Sequence, residues 1–100
     1  MAVSLTPSQK RYLRGLAHPL KPVVLMGAKG LTDAVVAEIE LALEHHELIK
    51  VKVTAEDREA REATIAEIAK RTQSAVVQRV GHTATLYRRS SESPEIMLPR

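Results

Sequence analysis

The sequence predicts an α+β fold, a two-layer α/β sandwich with three helices and a four-stranded sheet. Its 100 residues, of which 44% are apolar and 27% charged, are sufficient for one globular core. The apolar residues recur with alternating helical and strand periods, which gives the element order α-β-α-β-α-β-β. Two of these connections are β-α-β units, whose right-handed crossovers place helices against a sheet. We expect residues 1–100 to form a single domain.

The first predicted helix begins after Thr6. Thr6 is a preferred N-cap, Pro7 suits the first helical position, and Gln9 completes a capping box. His18 ends the helix because it precedes Pro19. The predicted buried stripe contains Tyr12, Leu13, Leu16 and Ala17, and the opposite side carries Lys10, Arg11 and Arg14.

A strand and a glycine-containing bend follow the first helix. Residues 23–26 are all apolar and predict a strand that is covered on both faces or central in the sheet. Residues 27–30, Gly-Ala-Lys-Gly, form a tight turn. Thr32 is the predicted N-cap of the second helix, which extends to about His46. The buried stripe of this helix is predicted to be Val36, Ile39 and Leu43.

The second half of the chain predicts a strand, a helix and a hairpin. Residues 48–53 alternate apolar side chains with Lys50 and Lys52, as expected for a strand with one open face. The third helix covers about residues 57–72. Gly81-His82 has the Gly-X pattern of a type II′ turn and predicts a hairpin on either side of it. The tail, residues 90–100, is polar and predicted to be mobile, and residues 96–98 allow a short edge strand.

Charge is distributed unevenly along the chain. Residues 1–31 contain five basic residues and no acidic one, residues 32–72 contain six basic and ten acidic residues, and residues 73–100 contain four and two. The net charge is +3. This asymmetry predicts one positive face that suits a polyanion such as a nucleic acid. The alternative is a solvated surface that is basic without a ligand.

The residue types that the chain lacks exclude several classes of protein. It has no cysteine, which excludes disulfide scaffolds and thiolate nucleophiles. It has no Phe or Trp, and Tyr12 and Tyr87 cannot supply a platform of several stacking rings, so any nucleic acid must be bound mainly through its backbone. No apolar run exceeds four residues, which predicts no membrane span and a soluble, cytoplasmic protein.

The bend at residues 27–30 has two interpretations. It does not match a Walker A loop or a Rossmann fingerprint, and a Gly-x-x-Gly turn can be purely structural. However, Lys29 lies inside the bend and Thr32 caps the helix that follows. Free amides at a helix N-terminus together with a flexible cation are suited to receiving a phosphate.

Several ordered blocks of the sequence together resemble a known family. They are Leu13–His18, Lys21–Val23, Gly27–Thr32, Glu47–Val53, Gly81–Arg88 and Ile96–Pro99. In order and spacing they are similar to the CRM domain, the chloroplast RNA splicing and ribosome maturation module, whose free-standing bacterial form is the YhbY-like protein. The resemblance covers nearly the whole chain.

This resemblance implies a fold like the C-terminal domain of initiation factor three, with a mixed sheet of strand order 1-2-4-3. It implies a non-enzymatic RNA-binding role on ribosomal RNA, in precursors of the large ribosomal subunit. The bend, residues 27–30, matches the family's RNA-contacting loop, and the basic residues of the first helix match the positive surface beside it. Ala28 departs from the family pattern, in which a polar or basic residue is common, and Lys29 is therefore the only cation of the loop.

The predicted RNA-binding residues combine the loop, the first helix and three later cations. They are Gly27, Ala28, Lys29, Gly30, Thr32, Lys10, Arg11, Arg14, Lys21, His18, Lys50, Lys52 and Arg88. We expect no cofactor, no metal, no small-molecule substrate, no membrane partner and a monomer. One alternative is a protein–protein adaptor on ribosomal particles that uses the acidic second helix or the open sheet face. A small nucleotide- or metal-dependent enzyme is another.

The pair His45-His46 is the one motif that suggests a metal site. Flanked by Glu44 and Glu47, it is not a His-Glu-x-x-His motif. Adjacent residues of a helix point about 100° apart and cannot readily bind one ion together. The pair is better explained as two histidines favoured by the dipole at the C-terminal end of a helix.

Overall fold

The computed structural model describes residues 4–27 and 30–99. Its elements follow in the predicted α-β-α-β-α-β-β order and are α1 (Pro7–Ala17), β1 (Val24–Leu25), α2 (Asp33–His46), β2 (Leu48–Lys52), α3 (Arg58–Thr72), β3 (Ala75–Val80) and β4 (Thr83–Tyr87). The α+β class predicted from the sequence is confirmed. No helix in the described ranges is both long and apolar enough to cross a membrane.

Local hydrogen bonds explain where the helices begin. The Thr6 hydroxyl oxygen accepts from the Gln9 amide at 3.2 Å, and the Gln9 side chain accepts from the Thr6 amide at 3.0 Å. This is the predicted capping box, and it satisfies amides that the first turn leaves without partners. Thr32 caps α2 in the same way, accepting from the Val35 amide at 3.2 Å.

The sheet is mixed and its strand order is β1-β2-β4-β3, as the family resemblance implies. β1 is parallel to β2, whereas β4 is antiparallel to both β2 and β3. The β3–β4 hairpin turns through Gly81, whose φ of +56° suits the first turn position of a Gly-X hairpin.

β1 corrects one prediction, because it lies at the edge of the sheet and is covered on one face. Val24 and Met26 are buried against α2, but the side chains of Val23 and Leu25 are 49% and 67% exposed. The reason is tertiary: α1 packs mainly over β2 and β3 and leaves this face of β1 largely uncovered. An unbroken apolar run therefore did not indicate burial on both faces.

The two faces of the sheet are covered unequally. The main core joins one face to α2 and α3, and its buried residues include Ile49, Val51, Leu86, Ile39, Leu43, Ile65 and Ile68. On the other face, Leu13 and Ala17 of α1 pack against Leu48, Val77 and Tyr87. The sheet with α2 and α3 forms the predicted sandwich, and α1 adds a partial layer on the opposite face. Because Leu48 is the first residue of β2, the later residues of this strand extend beyond α1.

The buried stripe of α1 is narrower than predicted. Leu13 and Ala17 are buried, but Tyr12 and Leu16 are exposed. A helix that lies alone on a sheet face contacts it along a single ridge, so its flanking apolar residues remain accessible to solvent.

The segment that follows β4 is tied to the end of α2 by two carboxylates. Glu47, which is buried, accepts from the amides of Ser90, Glu95 and Ile96 at 2.8, 2.7 and 2.8 Å. Glu44 accepts from the hydroxyl of Ser90 at 2.8 Å and from the amide of Ser91 at 3.0 Å. Residues 96–98 do not form the edge strand that the sequence allowed, and Ile96 and Leu98 pack beside α1 instead.

These hydrogen bonds predict that acid releases the segment after β4. The Ser90 hydroxyl and, next, the Ser91 amide lower the pKa of Glu44 from 4.5 to about 2, although burial acts in the opposite direction. A carboxylate with a lowered pKa in the folded protein stabilises it fully above about pH 4.5 and progressively less as the pH falls toward 2. The amides of Ser91 and Glu92 donate to Glu44, so their hydrogen exchange, measured relative to an unstructured peptide at the same pH, should become faster as the pH falls through this range.

Two variants test the assignment of this transition to Glu44. Glu44→Gln should show fast exchange at Ser91 and Glu92 already at pH 6, because an amide accepts these hydrogen bonds less strongly than a carboxylate. Glu38→Gln changes the same charge at an exposed position of α2 and should behave as the unchanged protein does. Slow exchange that persists in Glu44→Gln would contradict the prediction.

Candidate functional site

A groove lies between the C-terminal half of α1 and the part of the sheet that α1 leaves uncovered. Its volume is about 630 Å³. The residues that line it are Arg14, Gly15, His18, Leu20, Lys21, Pro22, Lys50, Gln78, Val80, Thr83 and Thr85. We call it the basic groove. It brings together four residues predicted for the site, Arg14, His18, Lys21 and Lys50, which lie up to 36 positions apart in the sequence.

The described residues that line the basic groove include cations and no carboxylate. Arg14, Lys21 and Lys50 form no ion pair with any described acidic residue, whereas three arginines associated with the other layer are paired. The pairs are Arg71–Asp33 at 2.7 Å, Arg79–Glu62 at 3.8 Å, and Arg88 with Glu40 and Glu44, each at 3.7 Å. Arg14 and Lys21 come from the acid-free first 31 residues, so positive charge accumulates in the groove.

Two further predicted cations of α1 lie beside the groove without lining it. Arg11 is exposed and precedes Arg14 by three residues, which places both on the same side of the helix. Lys10 is half-buried at the preceding position. These residues extend the positive surface along α1.

Lys52 connects the groove to the bend at residues 27–30. It is exposed and lies on the same face of β2 as Lys50. Its register partner is Leu25 of β1, and its carbonyl oxygen accepts from the Met26 amide at 2.9 Å, immediately before Gly27. The cations of β2 therefore lead from the groove toward the start of the bend.

The bend joins β1 to α2, and its described residues, Gly27 and Gly30, do not line the groove. The Gly30 amide donates to the Gly27 carbonyl at 3.0 Å, and Gly30 has a φ of +77°, which favours glycine. The predicted site residues Ala28 and Lys29 lie outside the described residues. The bend leads into α2, which belongs to the layer opposite α1. The bend and the groove are therefore two separate, adjoining parts of the candidate site, with Lys52 between them.

Arg88 is separated from the other predicted cations. It follows Tyr87, which faces α1, so its side chain points to the opposite layer. There its guanidinium donates to the carbonyl oxygens of Thr72 at 3.0 Å and Glu40 at 3.3 Å. These contacts join β4 to α2 and α3 and place Arg88 away from the groove.

Comparison with known proteins gives the family. The family model of the CRS1 / YhbY (CRM) domain matches residues 5–88. The chain belongs to the CRM domain family. Among its relatives, an "RNA-binding protein" of Haemophilus influenzae is 54% identical over 97 residues, 97% of each chain. The "Probable RNA-binding protein YqeI" of Bacillus subtilis is 40% identical over 95 residues, which cover 95% of this chain and 99% of that one.

A solved structure has the same fold as this CRM domain. The solution structure of a hypothetical protein from Staphylococcus aureus superimposes with a TM-score of 0.83 at 38% sequence identity. The match covers 96% of this chain and 100% of that one. The fold class and strand arrangement are therefore those of an established family.

The residues that form the floor of the groove in this CRM domain were not predicted from the sequence. Gln78, Thr83 and Thr85 lie there, on strands β3 and β4. One signal was available for the threonines, because they alternate with the apolar residues Ala84 and Leu86 and so share the less apolar face of a strand. Nothing local indicated that this face would lie next to α1.

The histidine pair at the end of α2 does not form a metal site with its neighbours. The rings of His45 and His46 have centroids 6.4 Å apart and are tilted by 54°. Among the residues that the structure describes, no group of three or more His, Cys, Asp or Glu side chains is arranged to hold a metal ion.

Proposed function

We propose that this CRM domain binds structured RNA through the phosphate backbone, and that this RNA is ribosomal RNA in precursors of the large subunit. The observation that carries the proposal is the convergence of Arg14, Lys21 and Lys50 on one groove without a carboxylate. Three separate segments contribute these cations. Relatives named as RNA-binding proteins, including one 54% identical, support RNA as the polyanion. The ribosomal target is what the resemblance to the family implies.

The proposed contacts follow the arrangement of the cations. Arg14, Lys21 and Lys50 neutralise neighbouring phosphates in the groove, and Lys52 continues the contact toward the bend. At the bend, the Gly30 amide is engaged by the Gly27 carbonyl. The other amides of residues 27–30 and the N-terminus of α2 receive a further phosphate, beside the cation of Lys29.

The ion pair at the start of α2 favours this arrangement. Asp33 lies in the first turn of the helix, where its charge would repel a phosphate. Arg71 holds this carboxylate at 2.7 Å and offsets part of its charge. The helix N-terminus therefore remains attractive to an anion.

We propose binding without a chemical step, in the cytoplasm. Phosphate contacts carry no sequence information, so selectivity for RNA comes mainly from the shape of the folded backbone. Three carboxylates in and directly after α2 are engaged within the protein, Glu40 and Glu44 by Arg88 and Glu47 by the segment after β4, whereas Glu38 is exposed. This argues against an adaptor that presents an acidic helix.

The dependence of affinity on salt tests the backbone contacts. If the groove and the bend neutralise about four to six phosphates, the logarithm of the association constant should fall with the logarithm of salt concentration with a slope of about −3 to −5. Lys29→Gln should reduce the magnitude of this slope by about 0.7 to 0.9 and leave Tm unchanged. Lys70→Gln, an exposed position on α3, is the matched control. An affinity independent of salt would contradict the proposed contacts.

The ribosomal target requires a separate experiment in cells. Crosslinking followed by sequencing of the bound RNA should recover ribosomal RNA, and the protein should sediment with precursors of the large subunit. Nuclease treatment should release it from these particles. Attachment that survives nuclease treatment would favour the adaptor alternative.

A further inference from the structure

We propose that the basic groove receives one unpaired nucleotide of the RNA, with its phosphate at the cations and its base on the floor of the sheet. This inference rests on the proposed function and goes beyond it, because a backbone contact alone needs no pocket for a base. It assigns the uncharged residues of the groove to the recognition of an unpaired nucleotide.

The floor of the groove contains a row of three polar residues across three strands. Thr85 is the register partner of both Lys50 on β2 and Gln78 on β3. Neighbouring strands are about 4.8 Å apart, so this row spans about 10 Å from the lysine to the glutamine. A cation at one end and an amide at the other match a nucleotide, which has a phosphate at one end and a polar base edge at the other.

A β-bulge directs Gln78 to this row. From Ala75, which pairs with Tyr87, strict alternation would place Val77 opposite Thr85 and turn Gln78 toward α3. The register instead shifts between Val76 and Gln78, and Gln78 pairs with Thr85. One extra residue thus turns a polar side chain into the groove, as bulges beside binding sites do.

The polar side chains of the floor are available to a ligand. Thr85 is 3% exposed, yet neither it nor Thr83 or Gln78 forms a side-chain hydrogen bond with another described residue. No fully buried side-chain nitrogen or oxygen in the described ranges lacks a partner, so the free polar atoms of the floor face the groove. Hydroxyl and amide groups both donate and accept, which suits the mixed edges of a base.

The wall of the groove offers surfaces for stacking. Among the described lining residues, His18 supplies an aromatic ring and Arg14 a planar guanidinium. Unpaired bases of RNA stack on histidine rings and arginine planes, whereas a regular duplex keeps its bases inside the helix. The volume of about 630 Å³ lies within the range of roughly 300–1,000 Å³ that small ligands occupy.

Binding to two RNA hairpins that differ by one bulged nucleotide tests the inference. The bulged hairpin should bind about 5- to 50-fold more tightly than the fully paired one, the range expected when one base gains a stacking partner. His18→Ala and Thr85→Val should each reduce this preference, the latter by about 2- to 10-fold for one lost hydrogen bond. Thr85→Val removes no charge, so the salt slope of this variant on the paired hairpin should remain unchanged.

Matched controls lie outside the groove. His45→Ala removes an exposed histidine at the end of α2, and Thr64→Val makes the same exchange as Thr85→Val on α3. Both should retain the preference for the bulged hairpin. Equal affinity of the unchanged protein for the two hairpins would overturn the inference and leave the proposed function intact, whereas failure to bind either hairpin would overturn the proposed function itself.

Discussion

Replacing Arg14 and Lys50 together with glutamine should weaken RNA binding about 100-fold at about 0.1 M salt, roughly tenfold for each lost phosphate contact. Both side chains line the basic groove, and neither is paired with a described acidic residue. Their loss therefore removes contacts with the ligand and leaves the internal ion pairs in place. Fluorescence anisotropy with a labelled RNA hairpin measures the affinity, and the salt slope should decrease in magnitude by about 1.4 to 1.8.

The control for this double variant changes the same number of charges on the opposite layer. Arg58→Gln with Lys70→Gln removes two exposed cations of α3 and should weaken binding less than threefold, roughly what screened, distant charges contribute. Equal losses in the two double variants would show that net charge governs affinity and would contradict a groove-specific contact. Tm should stay within a few degrees in both, because exposed charges contribute little to stability.

Replacing Glu47 with alanine should have the largest effect on stability. The change leaves the amides of Ser90, Glu95 and Ile96 without the carboxylate that now accepts from them. Because Glu47 is 2% exposed, water does not replace it readily, and we expect a loss of about 2–4 kcal/mol in the free energy of unfolding. For a domain of this size Tm should fall by roughly 10–20 °C, which differential scanning calorimetry measures.

Two variants distinguish the contribution of the Glu47 carboxylate to stability from that of its backbone conformation. Glu47 has a φ of +63°, and neither Ala nor Gln relieves that strain, so the comparison concerns the side chain alone. Glu47→Gln keeps an acceptor oxygen and should cost less than half as much as Glu47→Ala. Glu38→Ala, at an exposed position of α2, should be nearly neutral. A loss below about 1 kcal/mol in Glu47→Ala would contradict the role assigned to these hydrogen bonds.

The pKa of Glu47 agrees with this role. Burial raises this pKa. The amides of Ser90, Ile96 and Glu95 and the charge of Arg89 together lower it by more than burial raises it, so the pKa lies below its ordinary value. A lowered pKa means that the ionised form stabilises the folded protein and that this contribution is lost as the pH falls. This role of Glu47 was not predicted from the sequence, because no local pattern shows that residues 90–96 return to it.

Structural features that depend on residues close together in the sequence were predicted well from the sequence. The caps at Thr6 and Thr32 need partners three residues away, and both form as expected. The hairpin turn at Gly81 depends on the freedom of one residue to adopt a positive φ. The absence of acidic residues before position 32 likewise predicted a positive surface before any contact was known.

Features that depend on which layer covers a residue could not be predicted. Leu25 belongs to an unbroken apolar run, yet it is exposed because α1 packs mainly over β2 and β3 and leaves the edge strand largely uncovered. Arg88 was predicted to be one of the RNA-binding cations. The alternation of side chains along β4 instead turns it toward Glu40 and Glu44. In both cases the decisive neighbours are distant in sequence, and the pattern of a single strand does not identify them.

The sequence by itself determined the elements of this CRM domain, their capping and turn chemistry, and the sign of charge on its first third, because each depends on contacts within a few residues or on composition. The tertiary structure alone decided that Arg14, Lys21 and Lys50 meet in one groove and that its floor is formed by Gln78, Thr83 and Thr85. The physical reason is that strand order, a one-residue bulge and the position of α1 on the second sheet face arise from long-range packing. Burial of the whole core determines that packing, and no single segment of the sequence determines it alone.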